Sequence, residues 1–181
     1  MKTFKQFLTE NNDFTTLAGK TARSWKTTTT YNVALNNVIK QGDKVLDYGS
    51  GPYQKVKPSV VAKGAEYNAY DKYGNIGDSS MLHDNDIVMG SNVLNVSIYA
   101  DDPLQSYNNT LDEMTRALKP DGTLIVNMPS AGPRADWMSP AQLKKDLMLR
   151  FNDIQHPHRE VFIARLPKTL YNMFKGELET V

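Results

Sequence analysis

The stretch Lys44–Pro52, KVLDYGSGP, joins a short hydrophobic run to an acidic residue and two glycines that flank a serine. Val45 and Leu46 form an apolar run of the kind that buried strands contain, and Asp47 follows where such a strand would end. Glycines at 49 and 51 permit a left-handed turn or a close approach of the backbone to a ligand. The stretch therefore predicts a strand followed by a glycine loop, and the loop is either a tight turn or part of a binding site.

Helical and strand patterns alternate on both sides of this stretch. Tyr31, Ala34, Leu35, Val38 and Ile39 have the spacing of an amphipathic helix, which Thr29 or Thr30 can cap and Gly42 can end. Further helices are predicted at 58–63, at 103–118 and from the pair Ser139-Pro140 onward. Strands are predicted at 44–47, 66–71, 86–91 and 123–128, the last after the turn sequence KPDG, and at 151–155 and 161–166 around the loop HPHR.

This alternation predicts an α/β protein with a mostly parallel sheet and right-handed crossovers. The final two strands are close in sequence, and we expect them to pair as an antiparallel hairpin. We divide the chain into an N-terminal helix and lead-in segment at 1–28 and one domain at 29–181. In such sheets, ligands bind at the carboxyl ends of the strands, near the point where the strand order reverses.

Composition narrows the possible functions. The chain has 181 residues, a net charge of +1 and no cysteine, which excludes disulfides and thiolate metal sites. No apolar run approaches the roughly 18 residues of a membrane span, and the N-terminus lacks a secretory h-region, so we expect a cytoplasmic protein. Residues 1–40 are mildly basic, but no dense basic patch is present. We therefore do not expect tight, sequence-specific DNA binding.

A second acidic residue, Asp71, closes the second predicted strand. In dinucleotide and nucleoside sites, an acid at this position binds the ribose hydroxyls through its two oxygens. A strand, a D-x-G-x-G loop, a helix and a second strand ending in Asp together favour a nucleoside-containing ligand over a plain tight turn.

Four segments in this order resemble the class I S-adenosylmethionine-dependent methyltransferases, in particular type 11-like methyltransferase domains. VLDYGSGP resembles their first motif, AYDKY the second, DIVMGSNVLNV the fourth-strand segment, and LKPDGTLIVNMPS the following helix end and fifth strand. The resemblance extends over roughly residues 25–166. It implies a Rossmann-like three-layer sandwich, with a mostly parallel sheet and a C-terminal antiparallel hairpin, that binds S-adenosylmethionine.

The resemblance also implies roles for particular residues. The loop 49–51 would pass the methionine part of the cofactor, Asp47 would support its amino group, and Asp71 would hold the ribose. Met81 or Leu82 would contact adenine, and Ser91 and Asn92 would lie beside the transferred methyl. The complete implied set is Asp47, Tyr48, Gly49, Ser50, Gly51, Asp71, Lys72, Met81, Leu82, Ser91 and Asn92.

The sequence also departs from the family pattern. The interval between Asp71 and Asp86 is short, which predicts a compact variant whose third-strand region is shortened or missing. The Asp/Asn-Pro-Pro-aromatic signature of amino-directed DNA methyltransferases is absent, and without cysteine there is no nucleophile for cytosine C5 methylation. No general base can be assigned, and Asn92, Tyr53 and His83 are the candidates for a catalytic role. His156 and His158 lack an evident third ligand, so we predict no metal site.

The first ten residues, MKTFKQFLTE, resemble the capsid-targeting propeptides of internal proteins of tailed bacteriophages, with Leu8-Thr9-Glu10 as the cleavage triplet. A short amphipathic starter helix at 2–8 explains the same residues. Two functions therefore stay open. One is a methyltransferase acting on an unidentified small-molecule or macromolecular acceptor, in the host cytoplasm if the protein comes from a phage. The other is a noncatalytic binding protein with the same fold, of the phage-internal or virion-associated kind.

Overall fold

The computed structural model describes residues 28–72, 74–129 and 135–168. The starter helix at 2–8, the propeptide-like triplet, Trp25 and the lead-in segment lie outside the described residues. The helices and strands predicted between residues 29 and 167 all lie inside them.

A six-stranded mixed sheet forms the centre of the molecule, in the order β2-β1-β3-β4-β6-β5. The first four strands in this order run parallel, and β6 is antiparallel to both β4 and β5. The predicted parallel sheet and C-terminal antiparallel hairpin are therefore confirmed. The strands are β1 (Lys44–Tyr48), β2 (Glu66–Tyr70), β3 (Asn85–Gly90), β4 (Leu118–Asn127), β5 (Phe151–His158) and β6 (Val161–Pro167).

Within the described ranges, four α-helices pack on this sheet: α1 (Thr29–Asn37), α2 (Lys57–Ala62), α3 (Pro103–Arg116) and α4 (Pro140–Arg150). The predicted Ser139 cap accepts a hydrogen bond from the backbone N–H of Gln142 at 3.1 Å. The cap of α1 is Thr28 rather than Thr29 or Thr30, because the side chain of Thr28 accepts from the N–H of Tyr31. None of the described helices is both long and apolar enough to cross a membrane.

Two predicted connections differ from the structure. The sequence HPHR is not a loop, since β5 continues to His158 and the chain turns only at Arg159 and Glu160. The KPDG segment does not precede β4 but lies within it. Leu118 pairs with Asn85 and Thr123 with Ile87, so residues 119–122 bulge out of the ladder between these two pairs.

The region between β2 and β3 is short, as predicted. Its described residues contain an isolated bridge between Asp71 and Ile76 and a 3₁₀ turn at Ser79–Met81, but no strand. As a result, β2 is an edge strand of the sheet.

Alternating residues of the strands face two hydrophobic layers, as expected for a sheet covered on both sides. Val45 packs on the side of α1 and α2, and its neighbour Leu46 packs on the side of α3 and α4. Around these two, the first layer contains Tyr31, Ala34, Val60, Ile87, Met89, Ile125 and Ile163, and the second contains Val88, Leu111, Met114, Leu124, Leu147 and Phe162. This arrangement is the predicted three-layer sandwich.

The strand order reverses between β1 and β3. From β1 the chain crosses to β2 on one side, and it then returns to place β3 on the other side. Crevices at such switch points, outside the carboxyl ends of the strands, are the usual ligand sites of open α/β sheets.

Candidate cofactor-binding site

The candidate residues of the first two motifs meet at this switch point. Tyr48, the last residue of β1, pairs with Tyr70 of β2 on one side and with Gly90 of β3 on the other. The residues that follow these three positions therefore leave the sheet side by side. They are the glycine loop, Asp71 and Ser91.

Both glycines of the loop adopt the left-handed backbone conformation that the sequence permits. Gly49 and Gly51 have φ angles of +71° and +64°, in the left-handed region that favours glycine. The N–H of Gly49 donates to the carbonyl of Tyr70 at 2.7 Å. A Cβ at position 49 would lie 2.1 Å from Cγ1 of Val93, so both backbone conformation and packing require glycine there.

Asp71 connects the glycine loop to the loop that leaves β2. Its Oδ2 accepts from the N–H of Gly51 at 3.0 Å, and its Oδ1 accepts from the N–H of Gly74 at 2.8 Å. The side chain is only half-buried. A carboxylate accepts hydrogen bonds through both of its oxygens, so Asp71 is chemically suited to hold the hydroxyl groups of a ligand at this point.

Asp47 has a different environment. Its side chain is 0% exposed, and its two oxygens accept from the hydroxyls of Tyr31, at 2.9 Å, and Tyr67, at 2.7 Å. Burial raises the pKa of Asp47 to about 6, although the hydrogen bonds from Tyr67 and Tyr31 oppose the shift. Burial and the neighbouring Asp47 also raise the pKa of both tyrosines. Asp47 thus holds α1 and β2 against β1, and a ligand at the loop would have to displace a tyrosine to reach it.

The side chains of the other members of the first two motifs either bond within the protein or face solvent. Tyr48 is buried, and its hydroxyl donates to Oε2 of Glu113 on α3 at 2.5 Å. The hydroxyl of Ser50 donates to the carbonyl of Gly51 at 3.3 Å. Lys72 is exposed beside Asp71.

At the ends of β3 and β4, two asparagines form a reciprocal pair. Asn92 has a φ of +60°, and its backbone N–H donates to Oδ1 of Asn127 at 2.7 Å. In return, Nδ2 of Asn127 donates to Oδ1 of Asn92 at 2.7 Å. Beside this pair, the hydroxyl of Ser91 donates to that of Thr28 at 2.8 Å, which ties the start of α1 to the end of β3.

Sequence reasoning assigned no role to Asn127 or Thr28. The available signal for Asn127 was its position at the end of the strand that neighbours β3. No sequence signal links Thr28 to Ser91, because their contact depends on where α1 packs.

Residues 81–83 lie in the connection between β2 and β3, and the structure gives them different surroundings. Met81 and Leu82 pack against the hydrophobic layer that contains Tyr48. His83 is exposed, and its carbonyl accepts from Nζ of Lys44 at 3.1 Å, next to the amino end of β1. The six residues of β3 span about 17 Å, so His83 lies at the opposite edge of the sheet from the glycine loop. A base at that edge cannot reach a ligand held at the carboxyl edge.

The remaining candidates lie at the surface. Tyr53, in the turn that follows the glycine loop, is 61% exposed, with Nζ of Lys55 at 5.9 Å from its ring centroid. The ring of His156 stacks on Phe162 at 4.1 Å, and Nδ1 of His158 accepts from the N–H of Glu160. Among the described residues, no group of three or more potential ligands could hold a metal ion.

Comparison with known proteins supports the fold only. No protein-family model matches the chain, and no curated protein sequence matches it. Solved structures do match it, at low sequence identity.

A Burkholderia thailandensis 1,6-didemethyltoxoflavin-N1-methyltransferase, with S-adenosylhomocysteine bound, is 14% identical and has a TM-score of 0.57, with 93% of this chain and 92% of that chain covered. Magnesium protoporphyrin IX methyltransferase from Synechocystis PCC 6803, with S-adenosylmethionine bound, is 18% identical with a TM-score of 0.52, and 75% of each chain is covered. A methyltransferase from Aquifex aeolicus is 16% identical with a TM-score of 0.50, and the match covers 76% of this chain and 89% of that chain. The fold is therefore the α/β fold of class I S-adenosylmethionine-dependent methyltransferases.

Proposed function

We propose that this protein is an S-adenosylmethionine-dependent methyltransferase that holds its cofactor across the carboxyl ends of β1, β2 and β3. One observation carries the proposal. At the switch point of the sheet, a loop with two left-handed glycines is hydrogen-bonded through Gly51 to an acidic residue from the neighbouring strand, Asp71. A plain tight turn needs neither the second glycine nor the acid.

Each part of the site has a role in this proposal. The backbone of residues 49–51 approaches the methionine part of the cofactor, and Asp71 accepts from the ribose hydroxyls, with Lys72 beside it. Asp47 positions Tyr31 and Tyr67 rather than touching the cofactor. The contacts of Met81 or Leu82 with adenine stay a prediction. Their packing against the hydrophobic layer gives no support to that assignment.

Bound S-adenosylmethionine supplies an electrophilic methyl group on a sulfonium centre. The protein's contribution is then alignment of the acceptor with that group. Ser91 and Asn92 lie at the end of β3, where the acceptor would approach, and Asn127 fixes the side chain of Asn92. An acceptor that is already nucleophilic needs no general base, which fits a site for which none can be assigned.

Methyl incorporation tests the proposal. The purified protein would be incubated with methyl-tritiated S-adenosylmethionine and separate pools of nucleic acid, protein and small metabolites. We expect one pool to become labelled with the wild type and labelling to fall with Asp71→Ala. Cofactor binding without labelling of any pool would instead favour the noncatalytic binding protein. Action in the cytoplasm, and in a host cell if the gene belongs to a phage, is part of the same proposal.

A further inference from the structure

The segment that follows the glycine loop, PYQKVK at 52–57, presents an aromatic ring beside two lysines. Tyr53 is the one aromatic side chain among the large hydrophobic residues that are exposed in the described part of the chain. An exposed ring of this kind is notable because tyrosine usually buries much of its surface.

The exposure of Tyr53 does not come from a loose loop. On one side, the N–H of Gly51 is bonded to Asp71. On the other side, Val56 is fully buried in the core, and the N–H of Lys57 donates to the carbonyl of Gln54 at 3.0 Å. Tyr53 thus stands on a short turn that is fixed at both ends, two residues from the candidate cofactor loop.

Three lysines lie in this segment or beside the acidic residue that anchors it, and one of them contacts the Tyr53 ring. Nζ of Lys55 lies 5.9 Å from the Tyr53 centroid, and Nζ of Lys57 lies 6.0 Å from the ring of Tyr67. Lys72 is exposed beside Asp71, the residue that anchors the same loop. The segment 52–65 contains no acidic residue. We call Tyr53, Lys55, Lys57 and Lys72 the Tyr53 surface.

We propose that the Tyr53 surface binds single-stranded nucleic acid, with one base stacked on Tyr53 and the adjoining phosphates beside the lysines. The inference rests on the proposed function, because it names the class of molecule presented to that site. Sequence-tolerant binding of single strands combines such aromatic stacking with cationic contacts to the backbone. A duplex keeps its bases stacked inside the helix and offers none to Tyr53.

The number of lysines sets the expected salt dependence. Three phosphate contacts on a single strand give a slope of about −2 for log K against log salt. A stacked base contributes a factor of about ten to a hundred by alanine substitution. Binding should therefore be moderate, dependent on salt and dependent on Tyr53.

Fluorescence anisotropy tests this with labelled single strands of about 12 nucleotides, as RNA and as DNA, and with the same sequence as a duplex. We expect at least one single strand to bind more tightly than the duplex. Tyr53→Ala should lose about tenfold or more in affinity, whereas Tyr53→Phe, which keeps the ring, should retain it. Lys55→Glu should weaken binding more than Lys145→Glu, a matched charge change on the exposed side of α4.

Equal affinity of Tyr53→Ala and the wild type, with both folded by thermal melting, would overturn the inference. Equal or tighter binding of the duplex would also overturn it, as would a failure to bind both the single-stranded RNA and the single-stranded DNA. A separate titration of the wild type with S-adenosylhomocysteine distinguishes the two proposals. If the protein binds the cofactor but no single-stranded nucleic acid, only this inference is wrong. If it binds single-stranded nucleic acid through Tyr53 but not the cofactor, only the proposed function is wrong.

Discussion

The carboxyl ends of β1 and β2 each carry an aspartate, yet the two aspartates differ in their burial and in their hydrogen-bond partners. Asp47 is fully buried under α1, and its carboxylate is held by two tyrosine hydroxyls. Asp71 is half-buried and holds the backbone of two loops. One end is part of the hydrophobic core, and the other is partly exposed at the surface, where we propose that the cofactor binds.

Sheet order accounts for this difference. β1 has a neighbour on each side and is covered by α1, whereas β2 is an edge strand followed by a short connection without a further strand in its described residues. We therefore expect substitutions at the end of β1 to act on stability, and substitutions at the end of β2 to act on ligand affinity.

The largest effect is expected for Gly49→Ala. A left-handed φ costs about 1–2 kcal/mol for a residue with a Cβ, and overpacking against Val93 adds about 1–3 kcal/mol. We expect a loss of about 2–5 kcal/mol in the free energy of unfolding, measured by urea denaturation. Gly42→Ala is a matched control, because its φ is +86° but nothing lies within 4 Å of the added Cβ. Equal losses for the two variants would show that Val93 does not constrain the loop.

The second prediction concerns the pH dependence of stability due to Asp47. Its pKa is about 6 in the folded protein and near 3.8 ordinarily, so the folded state retains the proton as pH rises between these values. Stability contributed by the protonated carboxyl is present below about pH 4 and is lost as pH rises through 6. The free energy of unfolding of the wild type relative to Asp47→Asn should fall by about 3 kcal/mol over this interval.

Asp86 provides a control of opposite sign. Burial acts to raise the pKa of Asp86, but hydrogen bonds from Lys119 and from the N–H of Lys44 hold it below its usual value. Its contribution is present above the ordinary pKa and is lost as pH falls. The wild type relative to Asp86→Asn should therefore lose stability toward low pH. A flat difference between wild type and Asp47→Asn would mean that the Asp47 carboxyl titrates as if exposed.

Asp71→Ala tests the other end of the comparison. It should weaken the binding of S-adenosylhomocysteine by about 1.5–3 kcal/mol, the range for lost hydrogen bonds to a charged group. Its effect on unfolding should be smaller than that of Gly49→Ala, since Asp71 is only half-buried. If the folded variant binds S-adenosylhomocysteine with unchanged affinity, Asp71 does not bind the ribose hydroxyls.

The smallest effect is expected at the end of β3, where Ser91 bonds to Thr28. A double-mutant cycle of Ser91→Ala and Thr28→Ala should give a coupling of about 0.5–1.5 kcal/mol in unfolding, the net value of one hydrogen bond. Zero coupling would mean that the start of α1 is held on the sheet by packing alone.

Much of the fold could be predicted because its signals are local. The hydrophobic runs at 44–47 and 123–128 and the helical spacing from Tyr31 to Ile39 each occur within a short window. The shortened third-strand region, which has no strand in its described residues, followed from the short interval between Asp71 and Asp86. The errors were also local: Thr28 replaced its neighbours as the cap, and His158 extended a strand into an expected loop.

The candidate site could be predicted only in outline. The motif located the glycine loop, but it could not show that Tyr31 and Tyr67 bury Asp47, because those contacts depend on the packing of α1 and on the pairing of β2 with β1. The amino-end position of His83 was available from the sequence, because His83 precedes the predicted strand 86–91, and the structure agrees. The Asn92–Asn127 pair, by contrast, requires β3 and β4 to be neighbours.

Calorimetric titration of the wild-type protein with S-adenosylhomocysteine tests the central claim most directly. The account predicts saturable binding of one ligand per chain, weakened by Asp71→Ala and retained by Asp47→Asn, because Asp71 belongs to the surface and Asp47 to the core. Absence of binding to the folded wild type would contradict the claim that the switch point of this sheet is a cofactor site.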